Sequence, residues 1–254
     1  WLTMILSGMI PYYLTNSIDS FSNIFFETMS GYTATGSTIL DDVEALPKSI
    51  IFWRSMTHWL GGMGIIVLAI AILPLLGIGG MQLFSAEVPG SGISGDKIHP
   101  RISATAKRLW LIYFGLTILE TIALSIAGMS FFDALNHSMS NIATGGFSTK
   151  NESLAYWNSI PSIQYIVIFF MILAGTNYLL IYSAIIGNFK KLFTNTEFLW
   201  YVSFILIFVI VTSFSIYNFV DLQQTRFEHP EIFGKLESSF CLLYTSPSPR
   251  DWLQ

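Results

Sequence analysis

The residues of this chain best placed to do chemistry carry no charge. Ser20 to Leu40 (SFSNIFFETMSGYTATGSTIL) and Ser130 to Lys150 (SFFDALNHSMSNIATGGFSTK) each read as a short apolar helix running into an uncharged Thr/Ala/Gly segment. Superimposed at a shift of 110 positions without a gap, they match at Ser20/Ser130, Phe21/Phe131, Met29/Met139, Ser30/Ser140 and Gly36/Gly146. Self-similarity of this kind marks an internal repeat. A transmembrane helix, a half-length helix, an extended Gly/Thr loop and a second transmembrane helix form the unit from which cation pores are built. Main-chain carbonyls of the loop then replace water around a dehydrated ion. Gly36 has a special part in this, because its permissive backbone lets successive carbonyls point the same way. A lone Thr-Gly dipeptide is an ordinary turn; two copies between apolar runs favour the pore.

The elements that would position these loops lie in a membrane. Hydrophobic residues make up 52% of the chain and charged ones 11%, whereas charged residues run near a quarter in soluble domains. Uncharged stretches cover Trp1 to Ile18, Trp59 to Ala86, Leu109 to Leu119 and on past Glu120 to Phe132, Ile160 to Phe189, and Phe198 to Val220. About 20 apolar residues make one helical span, so four full spans are available and the first run reads as the remainder of a fifth. Trp and Tyr near the ends, such as Trp53, Trp110, Trp157 and Trp200, suit interfacial belts. The chain opens inside an apolar run with no basic leader, and we read it as a fragment. Cys241 is the sole cysteine, which excludes an internal disulfide framework. A net charge of −4 without a basic block argues against nucleic acid as a partner.

Charge placement sets the orientation. Lys97, Arg101, Lys107 and Arg108 meet only Glu87 and Asp96, and Lys190 with Lys191 follow the Ile160 run, so these loops read as cytoplasmic. Asp41, Asp42, Glu44 and Glu152, and later Asp221, Glu228, Glu231 and Glu237, face outward. Both Gly/Thr segments then enter from the same face. Inverted-topology repeats would put them on opposite faces.

Along the chain, Pro11 kinks or closes the first helix, and Asp19 and Ser20 are positioned to cap a short helix from Phe21 to Gly31. Too short to cross a bilayer, that helix directs its carbonyl end and negative dipole toward the membrane interior. Pro47 opens the next helix, on which Arg54 and His58 are expected to snorkel or meet backbone carbonyls near the interface. Gly61, Gly62 and Gly64 fit close helix packing or a hinge. Ile102 to Ala127 carries Glu120 at mid-run, either a functional carboxylate or one hydrogen-bonded to a neighbouring helix. Ser130-x-x-Asp133 is a capping-box pattern, and His137 reads as a packed polar contact. Ala174-Gly175-Thr176-Asn177 interrupts the following span, as a gate or a packing seam.

These residues carry a family resemblance. FFETMSGYTATGSTIL, then FWRSMTHWLGGMGIIVLAIAILPLLGIGGMQLFSAEVPG, then AGMSFFDALNHSMSNIATGGFST resemble the pore subunit of the bacterial Trk/Ktr potassium uptake family, over about residues 1 to 240. The resemblance implies an all-α polytopic membrane protein built of helix, re-entrant pore loop, helix repeats around one pathway. It further implies a homodimer, a cytoplasmic nucleotide-binding regulatory subunit, and a multi-pass location in the bacterial plasma (inner) membrane among lipid. K+ would be the transported ion, with no other cofactor and no catalytic residue. Filter carbonyls would come from Thr33, Ala34, Thr35 and Gly36, and from Ala143, Thr144, Gly145 and Gly146. Gly36 and Gly146 keep the family's filter glycine; relatives that admit sodium often have Ser at the first such position.

The expected organisation is a first pore repeat over 1–86, truncated at its N-terminus, a cytoplasmic connector over 87–108, a second repeat over 109–189 and the start of a third over 190–240. The family's third filter, its fourth repeat and the arginine near its gate are not in this chain. The tail 241–254 (CLLYTSPSPRDWLQ) resembles translated adapter sequence, since Pro247, Pro249 and Arg250 do not suit a pore helix. Two other function classes remain open on the residues. A secondary transporter would bind a small solute at broken helices. A membrane hydrolase would use Ser55/His58 or Ser138/His137, although neither a Gly-x-Ser-x-Gly elbow nor His-Glu-x-x-His occurs.

Overall fold

The structure is a computed structural model that describes residues 2–64 and 99–219. Most of the Trp59 to Ala86 run, the first part of the connector, the acidic stretch from Asp221, the end of the third unit and the tail lie outside the described residues. Among the described residues every regular element is a helix. Two short helices, α1 (Leu2–Gly8) and α2 (Ile10–Leu14), open the chain, and Pro11 lies in the first turn of α2, where its missing N–H costs no hydrogen bond. Then come α3 (Phe21–Tyr32) and α4 (Lys48–Trp59), with a wide turn at Leu60–Gly64 broken at Gly62. The second unit holds α5 (His99–Ile126), α6 (Phe131–Ile142), a short 3-10 turn, α7 (Pro161–Ala174), α8 (Tyr178–Ile185) and α9 (Phe189–Thr194). Thereafter comes α10 (Thr196–Phe219).

The half-helices α3 and α6 begin and end in the same register, since 21 and 32 plus 110 are 131 and 142. Their starts differ. Ser130 accepts a hydrogen bond from the Asp133 N–H at 3.2 Å and donates to its Oδ2 at 2.7 Å. Ser20 occupies the N-cap position of α3 but its side chain makes no capping bond, a correction to the expectation from sequence. Ser130→Ala should therefore lower stability by about 1 kcal/mol, read as a fall in Tm of the detergent-solubilised protein. Ser20→Ala should leave Tm unchanged.

Among the described residues three apolar clusters form, and the third gathers Leu124, Met129, Ala134, Leu154, Trp157, Ile163 and Val167. Ile5, Met9, Tyr12, Ile24, Tyr32 and Ile50 join α1 to α4; Tyr113, Leu116, Ile142, Phe170 and Tyr178 join α5 to α8. The units meet where α4 lies against α6. The buried face of α4 (Ile50, Ile51, Arg54, Ser55, Thr57, His58) follows the helical period, and four of its six residues are polar. On α6 all residues from Asn136 to Ile142 are buried. Outward faces are apolar: Leu111, Ile118 and Ile122 on α5, and Trp200, Phe204 and Ile207 on α10, are exposed. Polar inside and apolar outside is the arrangement a lipid solvent demands.

Lys107–Ile126 is, among the described residues, the one helix long and apolar enough to cross a membrane; Leu2–Leu14, Pro161–Ala174 and Thr196–Val211 are shorter apolar helices. The run from Ile160 is two helices, interrupted at Gly175-Thr176-Asn177 where the sequence places a break. It breaks where a Cβ on Gly175 would run into the Tyr201 hydroxyl of α10. Thr176 Oγ1 donates to the Ile172 carbonyl at 2.8 Å, and the Asn177 carbonyl restarts the helix by accepting from Leu180 and Ile181. The break is thus a packing seam with α10.

Candidate cation site at two helix C-termini

Each half-helix runs directly into its Gly/Thr loop through one hydrogen-bond pattern. After α3, Thr33 N–H donates to Met29, Ala34 to Gly31 and Thr35 to Ser30, at 2.9, 3.0 and 3.0 Å. After α6, Ala143 donates to Met139, Thr144 to Asn141 and Gly145 to Ser140, at 3.4, 2.8 and 2.8 Å. This is a Schellman end, in which the residue past the cap is left-handed and usually Gly. Here that residue is Ala34 (φ 51°) or Thr144 (φ 56°). Ordinary left-handed helix ends in this chain use Gly128, Gly187 or Asn16. A non-Gly residue in that region costs about 1–2 kcal/mol, and such strain gathers at functional sites.

Two residues on, the backbone turns left-handed again at Gly36 (φ 79°) and Gly146 (φ 95°), and the residues between have negative φ. Both loops therefore alternate in hand, 33 to 36 and 143 to 146. The loops also converge. A Cβ built on Gly36 would collide with the Gly145 carbonyl oxygen, whereas one on Gly146 meets nothing within 4 Å. Thr33, Thr35, Thr144 and Gly146 are exposed, while Ala143 is buried. Thr33 and Thr35 share a hydroxyl contact of 2.7 Å, and Thr144 Oγ1 donates to the Ala143 carbonyl at 2.7 Å. The two loops thus lie together, in contact at Gly36 and Gly145.

Behind the loops lies a support that is also repeated. Glu27 of α3 accepts from Thr38 Oγ1 at 3.0 and 3.1 Å and from the Ile39 N–H at 3.1 Å. At the equivalent positions, His137 of α6 pairs through Nε2 with Ser148 Oγ at 3.3 Å. In both loops the hydroxyl then accepts from the main chain two residues on, Leu40 N–H to Thr38 at 3.2 Å and Lys150 N–H to Ser148 at 3.0 Å. In the sequence Glu27 is masked by the otherwise apolar helix that carries it. The signal was present, a single carboxylate in an apolar segment followed by a single arginine on the next helix.

Arg54 does not snorkel. It is 1% exposed and its Nε lies 2.8 Å from Glu27 Oε1. Its other nitrogens reach Thr38 Oγ1 at 3.2 Å and the Ser148 carbonyl at 3.5 Å, and the guanidinium sits 4.2 Å from the Phe147 ring centroid. His58 is likewise buried; it stacks on Phe147 at 3.9 Å, and its Nδ1 is 2.9 Å from Ser140 Oγ. Gly145 has to be glycine, since a Cβ there would enter the His58 ring. Gly61 is equally constrained by the Tyr32 main chain, so close packing accounts for it.

Glu120 is fully buried and accepts from Asn141 Nδ2 at 2.6 Å; the same amide nitrogen donates to the Val167 carbonyl at 3.1 Å. It is hydrogen-bonded to α6 and not exposed to the loops. His137 is a packed contact, edge-on to Trp157 at 5.2 Å. Neither hydrolase pair forms: Ser55 bonds the Ile51 carbonyl, and Ser138 bonds Leu135 and Thr121. On the rim, Asn151 accepts from Val43 N–H at 2.8 Å and donates to Asp42 at 2.8 Å, while Lys150 meets Glu44 at 3.3 Å. These contacts tie the outgoing segments of the two units together. Among the described residues no group of three His, Cys, Asp or Glu is arranged to hold a metal ion; the oxygens gathered at the loops are main-chain and hydroxyl oxygens.

Comparison with known proteins identifies the family of the chain. Residues 1–231 match the TrkH family, described as cation transport protein. The chain is 45% identical over 213 residues to the Trk system potassium uptake protein TrkH of Salmonella typhimurium, covering 83% of this chain and 44% of that protein. To the Trk system potassium uptake protein TrkG of Escherichia coli K12 it is 36% identical over 220 residues, covering 86% and 45%. The chain thus spans less than half the length of these relatives. Its fold superimposes on the crystal structure of the potassium transporter TrkH from Vibrio parahaemolyticus with a TM-score of 0.75 at 33% identity, covering 94% of this chain and 47% of that one. The chain belongs to the TrkH family of cation transport proteins.

Proposed function

We propose that this chain is part of a pore subunit that takes up K+ across the bacterial inner membrane, and that its two Gly/Thr loops are half of the selectivity filter. The observation that carries the proposal is the repeated alternation of backbone hand at 33 to 36 and 143 to 146, in loops that touch at Gly36 and Gly145. A backbone alternating in hand turns successive carbonyls to one side, so Thr33 to Gly36 and Ala143 to Gly146 would offer a dehydrated K+ a set of main-chain oxygens. The C-termini of α3 and α6 abut those loops and add roughly half a negative charge each. Conduction of this kind needs no catalytic residue and no cofactor.

On this reading residues 1–86 and 109–189 are pore repeats joined by a cytoplasmic connector at 87–108. Residues 190–240 open a third repeat, and 241–254 are not native sequence. The complete protein would work as a homodimer with a cytoplasmic nucleotide-binding subunit. The test is Rb+ flux into liposomes holding the complete protein of which we take this chain to be a part. Rapid, passive uptake that excludes Na+ is expected. No Rb+ flux, or strict saturable exchange of a small organic solute, would overturn the proposal.

A further inference from the structure

Arg54 joins groups that no local rule would bring together. Within the first unit it pairs with Glu27 on the half-helix and reaches Thr38 on the outgoing limb of the loop. Across the unit boundary it reaches the Ser148 carbonyl and lies against Phe147, both on the outgoing limb of the second loop. One guanidinium therefore spans both limbs. Its planar fork of donors is what allows three directions to be served at once.

The repeat makes the asymmetry informative. Glu27 and His137 hold equivalent positions and each grips the hydroxyl of its own outgoing limb, Thr38 or Ser148. Those contacts fix each limb to its own half-helix. Neither fixes one limb relative to the other, and behind the loops Arg54 does so. A fold that needed only stability would be served as well by apolar side chains, since a buried ion pair contributes little net stability over a well-packed apolar substitute.

We propose that Arg54 is a positioning residue of the filter, held by Glu27, that sets the spacing between the two loops and so sets discrimination between K+ and the smaller Na+. The inference rests on the reading of the loops as filter. On the cavity-size account of discrimination between ions of equal charge, the oxygens must be held at a set separation, and a strut attached to both limbs resists the inward collapse that a smaller ion favours.

The test separates positioning from folding. Arg54→Met leaves Glu27 as an unpaired buried charge and should reduce the amount of assembled complete protein. Glu27→Gln combined with Arg54→Met removes both charges, keeps an acceptor for Thr38 and Ile39, and should restore assembly as read by gel filtration in detergent. In liposomes this double variant should still lose selectivity, with the Rb+ to Na+ flux ratio lowered roughly tenfold, the weight of one charge-assisted hydrogen bond. Assembly restored with a native flux ratio would overturn the inference. Should the double variant not assemble, Arg54→Lys decides by the same ratio, because an ammonium pairs with Glu27 but cannot serve both limbs. A lowered ratio supports the strut and a native one removes it. Absence of Rb+ flux in the unsubstituted protein would instead refute the filter itself, so the two failures are distinct.

Discussion

Gly36→Ser is expected to abolish discrimination of K+ over Na+ in liposome flux, with the flux ratio falling tenfold or more. Two effects act together. Gly36 is left-handed with φ 79°, where a side chain costs about 1–2 kcal/mol. The new Cβ would also collide with the Gly145 carbonyl oxygen, and since that neighbour is main chain it can yield only by moving the second loop. Gly146→Ser is the built-in comparison. Its φ is 95°, so the backbone cost is similar, but a Cβ there meets nothing within 4 Å. Its effect on selectivity should be clearly smaller. Native selectivity in Gly36→Ser would mean that the contact between the loops is not part of the ion path.

The second large effect is on stability. Asn141→Leu should destabilise the protein by about 3 kcal/mol, because it strips a buried carboxylate of its hydrogen-bond donor. Glu120 is fully buried, with Oε1 on Asn141 and Oε2 without a hydrogen-bond partner. Glu120→Gln keeps the shape and the oxygen that accepts from Asn141, and should cost no more than about 1 kcal/mol. Combining Asn141→Leu with Glu120→Leu should recover much of the loss, since replacing both partners of a buried polar pair by apolar groups is often near neutral. The measurement is Tm in detergent for the three variants. An unchanged Tm in Asn141→Leu would show that the carboxylate finds another partner. Because Asn141, in the last turn of α6, lies two residues before Ala143, flux through the second loop should fall alongside Tm.

Much of this was legible in the residues alone. Low charge and long apolar runs indicated a helical membrane protein, and the shift of 110 positions put α3 and α6 in register at both ends. Gly36 and Gly146 stood out because glycine is the residue for left-handed backbone. Ala34 and Thr144 did not, because nothing in their chemistry announces positive φ; the neighbouring turns impose it. Capping by Asp19 and Ser20 looked as plausible in the sequence as capping by Ser130, yet only Ser130 makes the bond. The break at Ala174-Gly175-Thr176-Asn177 was legible as a small, polar interruption of an apolar run, but its partner, Tyr201 of α10, was not.

The sequence by itself determined which segments are helices, which loops repeat, and what chemistry uncharged Gly/Thr loops at helix carbonyl ends are able to perform. These are local properties, set by hydrophobic period, turn residues and spacing. Only the tertiary structure decided that Arg54 pairs with Glu27 and spans both limbs, that Glu120 belongs to Asn141, and that Gly36 abuts Gly145. In an interior that excludes water each buried polar group must find a partner, and which partner it finds depends on how distant helices pack.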